Sequence, residues 1–171
     1  MLGELTLFLG LQVTQKDKGI FIPQTKYIKE MLKKFQMEYC KPMSTHMIIG
    51  WKLSKDDESL IVDQTMYIPM IGILLYATKT RPYIMQVVGL VARFQYAPKE
   101  THMQESKRIF SYLKGTLDFG LWYPKGEDFT LTAYTNADWA GSVDDRKRTN
   151  GRAFFLGKCL VSWLSKNQPS I

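Results

Sequence analysis

The side chains best suited to metal-assisted or acid–base chemistry are carboxylates at close spacing. This chain gathers its late aspartates in one stretch: Tyr134-Thr135-Asn136-Ala137-Asp138-Trp139-Ala140-Gly141, then Asp144-Asp145-Arg146-Lys147-Arg148. Asp138, Asp144 and Asp145 are near enough in sequence to be tried as a metal cage. The three cations that follow Asp145 neutralise the last two acids locally, so that segment reads as a solvated turn. His46 and His102 are isolated from each other, and no Ser/His/Asp or Cys/His order suggests a nucleophilic triad. Each histidine is assigned a surface or helix-end place. Cys40 and Cys159 stand 119 positions apart without a partner at ligand spacing, which excludes a zinc knuckle or finger.

The elements that would carry these groups belong to a chain of 171 residues with a net charge of +7 and 45% hydrophobic residues. That is enough apolar material for one sizeable core or two small ones, and 13% aromatics argue against disorder as the main state. The positive excess is spread as +2, +3 and +2 over 1–60, 61–120 and 121–171, so there is no basic tail. A dispersed excess of this kind is compatible with a nucleic-acid-facing surface. The longest uncharged run, Gln64–Thr78, is 15 residues and holds Pro69 and Gly72, short of a bilayer span, so no membrane role is expected. Sparse cysteine and the lack of a leader segment suggest a reducing, intracellular setting, cytoplasmic or nuclear.

Phe8, Leu9, Leu11 and Val13, the polar turn from Gln15 to Gly19, and Ile20-Phe21-Ile22 predict one hairpin over the first 24 residues. Thr25 is placed to cap a helix in which Ile28, Met31, Leu32 and Phe35 recur on one face, with Lys26, Lys29 and Lys33 outward. Residues 38–62 read as a long surface connection. Helical patterns follow over 64–79, 83–95 and 100–114, the first two apolar nearly all round and hence central. The third buries Ile109, Phe110 and Leu113 and turns Lys107, Arg108 and Lys114 outward. Pro82 and Pro98 mark helix starts, whereas Pro69 fits only a start near 68 and otherwise interrupts or kinks the helix. Beyond Gly115 the pattern alternates. Strands are predicted at 120–123, 129–134, 152–156 and 159–163, with turns at 124–126, Gly141, Asn150-Gly151 and Gly157-Lys158. This meander needs the helical half, or a partner, to cover a face.

An ordered series of motifs resembles the C-terminal part of a copia-type LTR retrotransposon Pol polyprotein. It runs from Phe8-Leu9-Gly10-Leu11 through Gly19-Ile20-Phe21-Ile22, Leu74-Leu75-Tyr76, Thr80-Arg81-Pro82, Ala92-Arg93-Phe94, Pro98-Lys99-Glu100 and Tyr112-Leu113-Lys114-Gly115-Thr116. It continues with Gly120-Leu121-Trp122-Tyr123 and Ala137-Asp138-Trp139-Ala140-Gly141. The resemblance implies an α+β chain in three parts: a distal reverse transcriptase segment over 1–62, with a primer-grip-like hairpin and a thumb-like helix; a helical connection over 63–116; and a truncated ribonuclease H-like antiparallel meander over 117–171. It further implies that Phe8, Leu9, Gly10, Lys26, Lys29, Lys33, Lys107, Arg108 and Lys114 contact nucleic acid, with an RNA–DNA hybrid as partner, and possibly the rest of a Pol polyprotein.

For catalysis the resemblance implies loss. Intact relatives hold Mg²⁺ between acids, and the polymerase tetrad Tyr-Xaa-Asp-Asp is missing here; it would lie before Met1, and a further ribonuclease H acid after Ile171. Where the related motif has a metal-binding aspartate this chain has Asn136, a neutral amide of the same shape. Asp138 is left as a weak candidate, no catalytic set is intact, and no metal or cofactor is expected. Ile68 and Tyr83 stand where relatives carry Arg and Asp. The reading is thus a retrotransposon-derived fragment without activity of its own and with residual nucleic-acid binding. Two alternatives stay open: a ribonuclease H-type nuclease working within a longer polyprotein or assembly, and an interaction module adopted by the host.

Overall fold

A computed structural model describes residues 6–48, 53–56, 58–126, 128–138 and 149–167, without the side chains of Ala137, Asp138 and Asn167. The chain is α+β. Its first two strands, β1 (Leu7–Phe8) and β2 (Leu11–Gln12), pair around Leu9-Gly10, both at positive φ (48° and 79°), the twist a two-residue hairpin needs. The predicted single hairpin is therefore two. β3 (Thr14–Lys16) turns back separately into β4 (Gly19–Pro23). β4 then takes a distant second partner, β5 (Gly120–Pro124), with Ile20 opposite Tyr123 and Ile22 opposite Leu121. Of the three or four strands the sequence allows for the late meander, the one at 120–123 stays out of it and completes the N-terminal sheet in the order β3-β4-β5.

Helix α1 (Thr25–Lys34) buries Ile28 and Leu32 as its period requires. Thr25 does not cap it. Gln24 is the N-cap residue and its side chain makes no cap bond, while Thr25 is the first helical residue and its hydroxyl donates to Leu117 O (2.9 Å). Tertiary partners outcompete the local bond: the Gln24 amide donates to Tyr76 O (3.2 Å) and accepts from the Thr80 hydroxyl (2.8 Å). Residues 38–62 cross to α2 (Gln64–Ala77) with no helix or strand among the described residues. Asp63 caps α2 by accepting from Thr65 N (2.8 Å), which starts the helix early enough to leave Pro69 in its interior. Tyr67, Met70, Ile71, Leu74 and Ala77 are buried, but Met66, Ile68 and Leu75 are exposed, so this helix is covered on one side only and is not central all round.

Pro82 opens a 3-10 turn (Pro82–Ile84) that runs into α3 (Met85–Val91) and a second such turn (Ala92–Phe94). Helix α4 (Glu100–Gly115) closes the core with Ile109, Phe110 and Leu113 against α1, α2 and α3. His102 takes the helix-end place assigned to it, but inside the protein. Its Nδ1 accepts from Lys99 N (3.1 Å), Nε2 lies 3.0 Å from Ser54 O, and its ring stacks on Phe94 at 3.8 Å. His46 is half-buried, edge-on to Tyr112, and burial holds its pKa down.

The remaining strands, β6 (Leu131–Asp138), β7 (Thr149–Leu156) and β8 (Cys159–Asn167), form an antiparallel meander in that order, closed at Gly157-Lys158 with Gly157 at φ 59°. Asn150-Gly151, predicted as a turn, lies inside β7: Asn150 faces Ala137 and Gly151 faces Asn136. Pairing on both sides satisfies that backbone, which removes the reason to turn. One face of the meander packs on the helical half. Trp163 Nε1 donates to Thr78 O (3.1 Å), Tyr123 donates to Leu160 O (2.9 Å), and Arg93 donates to the Thr149 hydroxyl (3.1 Å). Gly141, Trp139, Asp144 and Asp145 lie outside the described residues.

Candidate nucleic-acid interface

Spacing of three and four residues on α1 puts Lys26, Lys29 and Lys33 along one exposed side of the helix, opposite Ile28 and Leu32. α4 runs beside α1, and Lys29, Lys33 and Lys114 come together around a hollow of about 410 Å³ whose floor includes Leu32 and Leu117. Glu30 and Glu38 share that rim and offset part of its charge. The β1–β2 hairpin adjoins the start of the same helix, since Lys26 N donates to Gln12 Oε1 (3.2 Å). Phe8 and Leu9 are exposed at its tip. Gly10 is required twice over: its φ is left-handed, and a Cβ there would meet the Tyr76 hydroxyl at 2.6 Å, the same hydroxyl that donates to Leu9 O at 2.7 Å.

Two of the predicted outward cations are not free to reach. Lys114 Nζ donates to Cys40 O (2.6 Å), and Arg108 donates to the Thr45 hydroxyl (2.8 Å), so both also pin the 38–48 segment to α4. The reason is that this long connection brings polar backbone and hydroxyl groups over the basic side of α4, which helical spacing alone does not reveal. Glu105, one turn before Arg108, is buried, and its Oε2 finds no hydrogen-bond partner among the described residues; burial raises its pKa and Arg108 opposes the rise. Lys107 stays exposed and faces a different hollow, of about 370 Å³, with Lys34, Phe35 and Met70.

Asn136 lies far along the chain from these lysines, on β6. The register places Tyr134, Ala153 and Trp163 in one cross-strand row and Asn136, Gly151 and Ser165 in the next. Because side chains alternate, all six share the face that Trp163 turns toward the helices. Gly151 and Ala153 put almost no bulk on the central strand, and a cleft of about 420 Å³ opens above them, roofed by Pro82, Tyr83, Met85 and Gln86. Its lining contains amides, hydroxyls and aromatic rings but no carboxylate among the described residues. A pair of Mg²⁺ ions requires several anionic oxygens, so these residues do not fit such a metal pair. The Asp138 side chain lies outside the described residues, and among those described no three His, Cys, Asp or Glu side chains converge. Gln86 has no counterpart in the sequence reading, where Tyr83 stands out only for replacing an Asp of relatives and Tyr134 only as the start of the Asn136 motif; the alternation of small residues at 151 and 153 is the one local sign of a hollow.

No family model and no solved structure matches the chain. It is 38% identical over 168 residues to the retrovirus-related Pol polyprotein from transposon RE1 of Arabidopsis thaliana, covering 98% of this chain and 12% of that protein. It is 35% identical over 179 residues to the corresponding polyprotein from transposon TNT 1-94 of Nicotiana tabacum, covering 99% of this chain and 13% of that one. A shorter relative, the uncharacterized mitochondrial protein AtMg00810 of Arabidopsis thaliana, is 34% identical over 170 residues, covering 99% of this chain and 70% of its own length. The chain thus spans about an eighth of the length of the curated polyproteins it matches.

Proposed function

The chain belongs to the family of copia-like, retrovirus-related Pol polyproteins, and from that premise we propose that it is a non-catalytic nucleic-acid-binding remnant of the reverse transcriptase and ribonuclease H region. The observation that carries this reading is the contrast between its two candidate surfaces. Lys29 and Lys33 are exposed on one side of α1, with Lys26 one turn earlier and the exposed Phe8-Leu9 tip beside them, while Lys114 across the hollow is held by Cys40 O. Cations on a rigid helix suit phosphate contacts that do not depend on base sequence. Asn136, at the position where the family motif holds a metal-binding aspartate, sits over a cleft without described carboxylates. Neutral amide oxygens do not balance two divalent ions, and phosphodiester hydrolysis of this class runs through such a pair. The partner is an RNA–DNA hybrid or a related nucleic acid, held by charge and hence sensitive to salt.

The test measures binding and cutting on the same protein. An RNA–DNA hybrid should bind with log K falling linearly in log salt, and Lys29→Ala/Lys33→Ala should reduce the slope by about 2, close to 0.9 per phosphate contact. Neither the parent nor Asn136→Asp should release product with Mg²⁺ or Mn²⁺, because one restored carboxylate does not make a two-metal site. Metal-dependent cutting by the parent, abolished in Asp138→Ala, would refute the non-catalytic part. A slope unchanged by the double lysine variant would refute the binding part.

A further inference from the structure

The cleft under Asn136 has a construction that suits a ligand other than a metal ion. Resting on the nucleic-acid-binding reading above, we propose that this cleft receives a single unstacked nucleobase from a single-stranded segment, separately from the phosphate contacts of α1. Its volume of about 420 Å³ falls within the roughly 300–1,000 Å³ typical of small-ligand sites. The floor is hollow because Gly151 and Ala153 occupy the central strand between Asn136 and Tyr134 on one side and Ser165 and Trp163 on the other. Pro82, Tyr83 and Gln86 line the cleft opposite the sheet, and its volume suits one splayed planar base and is far smaller than a paired, stacked duplex.

The chemistry of the lining points the same way. Asn136 and Gln86 are both exposed, and each offers a carbonyl acceptor and an amide donor, the mixed pattern that base edges present. Tyr134 stands perpendicular to Phe155 (5.7 Å between ring centres, 87° between planes) and remains exposed, which leaves ring surface for stacking. Trp163 is committed to the Thr78 carbonyl and serves as fixed wall. Arg93 donates to the hydroxyl of Thr149, which itself lines the cleft, so one cation stands next to the lining. A carboxylate would repel that phosphate, and the described lining has none.

The experiment titrates the full chain with a single-stranded 12-mer carrying 2-aminopurine and with a hybrid duplex of the same length. The single strand should bind with quenched 2-aminopurine emission, the duplex without any such change. Gly151→Val should abolish the quenching and weaken single-strand binding about tenfold with duplex binding unchanged. This variant is expected to fold, since a Cβ at 151 meets nothing nearer than Asn136 O at 3.9 Å and valine favours strands. Tyr134→Ala should show the same pattern, and Lys29→Ala/Lys33→Ala should weaken both ligands while leaving the quenching of bound strand intact. Quenching and affinity unaffected by Gly151→Val would overturn the proposal, as would a free nucleoside monophosphate binding as tightly as the 12-mer. Loss of the lysine dependence with the cleft dependence retained would overturn instead the reading of α1; binding of neither nucleic acid would overturn both.

Discussion

Arg81 provides the sharpest energetic test of how the elements are joined. Its side chain is fully buried, and its guanidinium donates to Thr116 O (2.7 Å) and Leu117 O (3.3 Å) just past the C-terminal end of α4 and to the Tyr83 hydroxyl (3.0 Å), while Nε finds no hydrogen-bond partner among the described residues. The partners are carbonyls at a helix end, whose partial negative charge favours a cation. Truncation in Arg81→Ala removes these charge-assisted bonds and leaves a cavity among α1, α2 and α4, at a cost of about 3–5 kcal/mol. Arg81→Met behaves differently. The apolar stem still fills the space, the buried charge is gone, and both carbonyls keep another donor: Phe119 N on Thr116 O and the Thr25 hydroxyl on Leu117 O. With no acceptor stranded, the cost falls to about 1–2 kcal/mol. Urea unfolding followed by far-UV circular dichroism and by tryptophan emission gives both values, provided the two probes coincide. Equal destabilisation by the two variants, or less than about 1 kcal/mol for Arg81→Ala, would refute the account of Arg81 as a clamp on carbonyls that have other partners.

Three further outcomes are expected. Glu105→Gln should stabilise the protein at neutral pH, because burial disfavours the charged carboxylate; the gain should vanish in acid, where Glu105 is protonated in both states, and denaturant melts at two pH values check it. Tyr27 and Tyr67 are each pushed by burial to about 12, so their contribution to stability is full below pH 10 and is lost as pH rises from 10 through 12; alkaline absorbance titration of folded and urea-unfolded protein should show late phenols, Tyr27 and Tyr67 last among them, only in the former. Gly10→Ala should cost about 1–2 kcal/mol, from positive φ and the clash with Tyr76, and should be less than additive with Tyr76→Phe in a double-mutant cycle.

Much of this fold was legible residue by residue. Recurrence of Ile28 with Leu32 and of Ile109 with Leu113 set the buried sides of α1 and α4, and Gly157-Lys158 fixed the turn from β7 to β8. The candidate lysines of α1 followed from the same periodicity. What was not legible depended on contacts between segments far apart in sequence. Thr25 looked like a cap until Leu117, 92 positions away, took its hydroxyl. Arg108 and Lys114 looked free until Thr45 and Cys40 were placed against them.

Residue order was enough to set local geometry: which side of each helix is apolar, where a left-handed residue permits a turn, and that position 136 carries an amide. Tertiary structure alone decided that β5 joins β4, with Ile20 opposite Tyr123, that α2 is covered on one side only, and that Asn136 overlooks a roofed cleft. The physical reason is that an amphipathic pattern states which face must leave water, whereas the surface that receives it is selected by the packing of the whole chain.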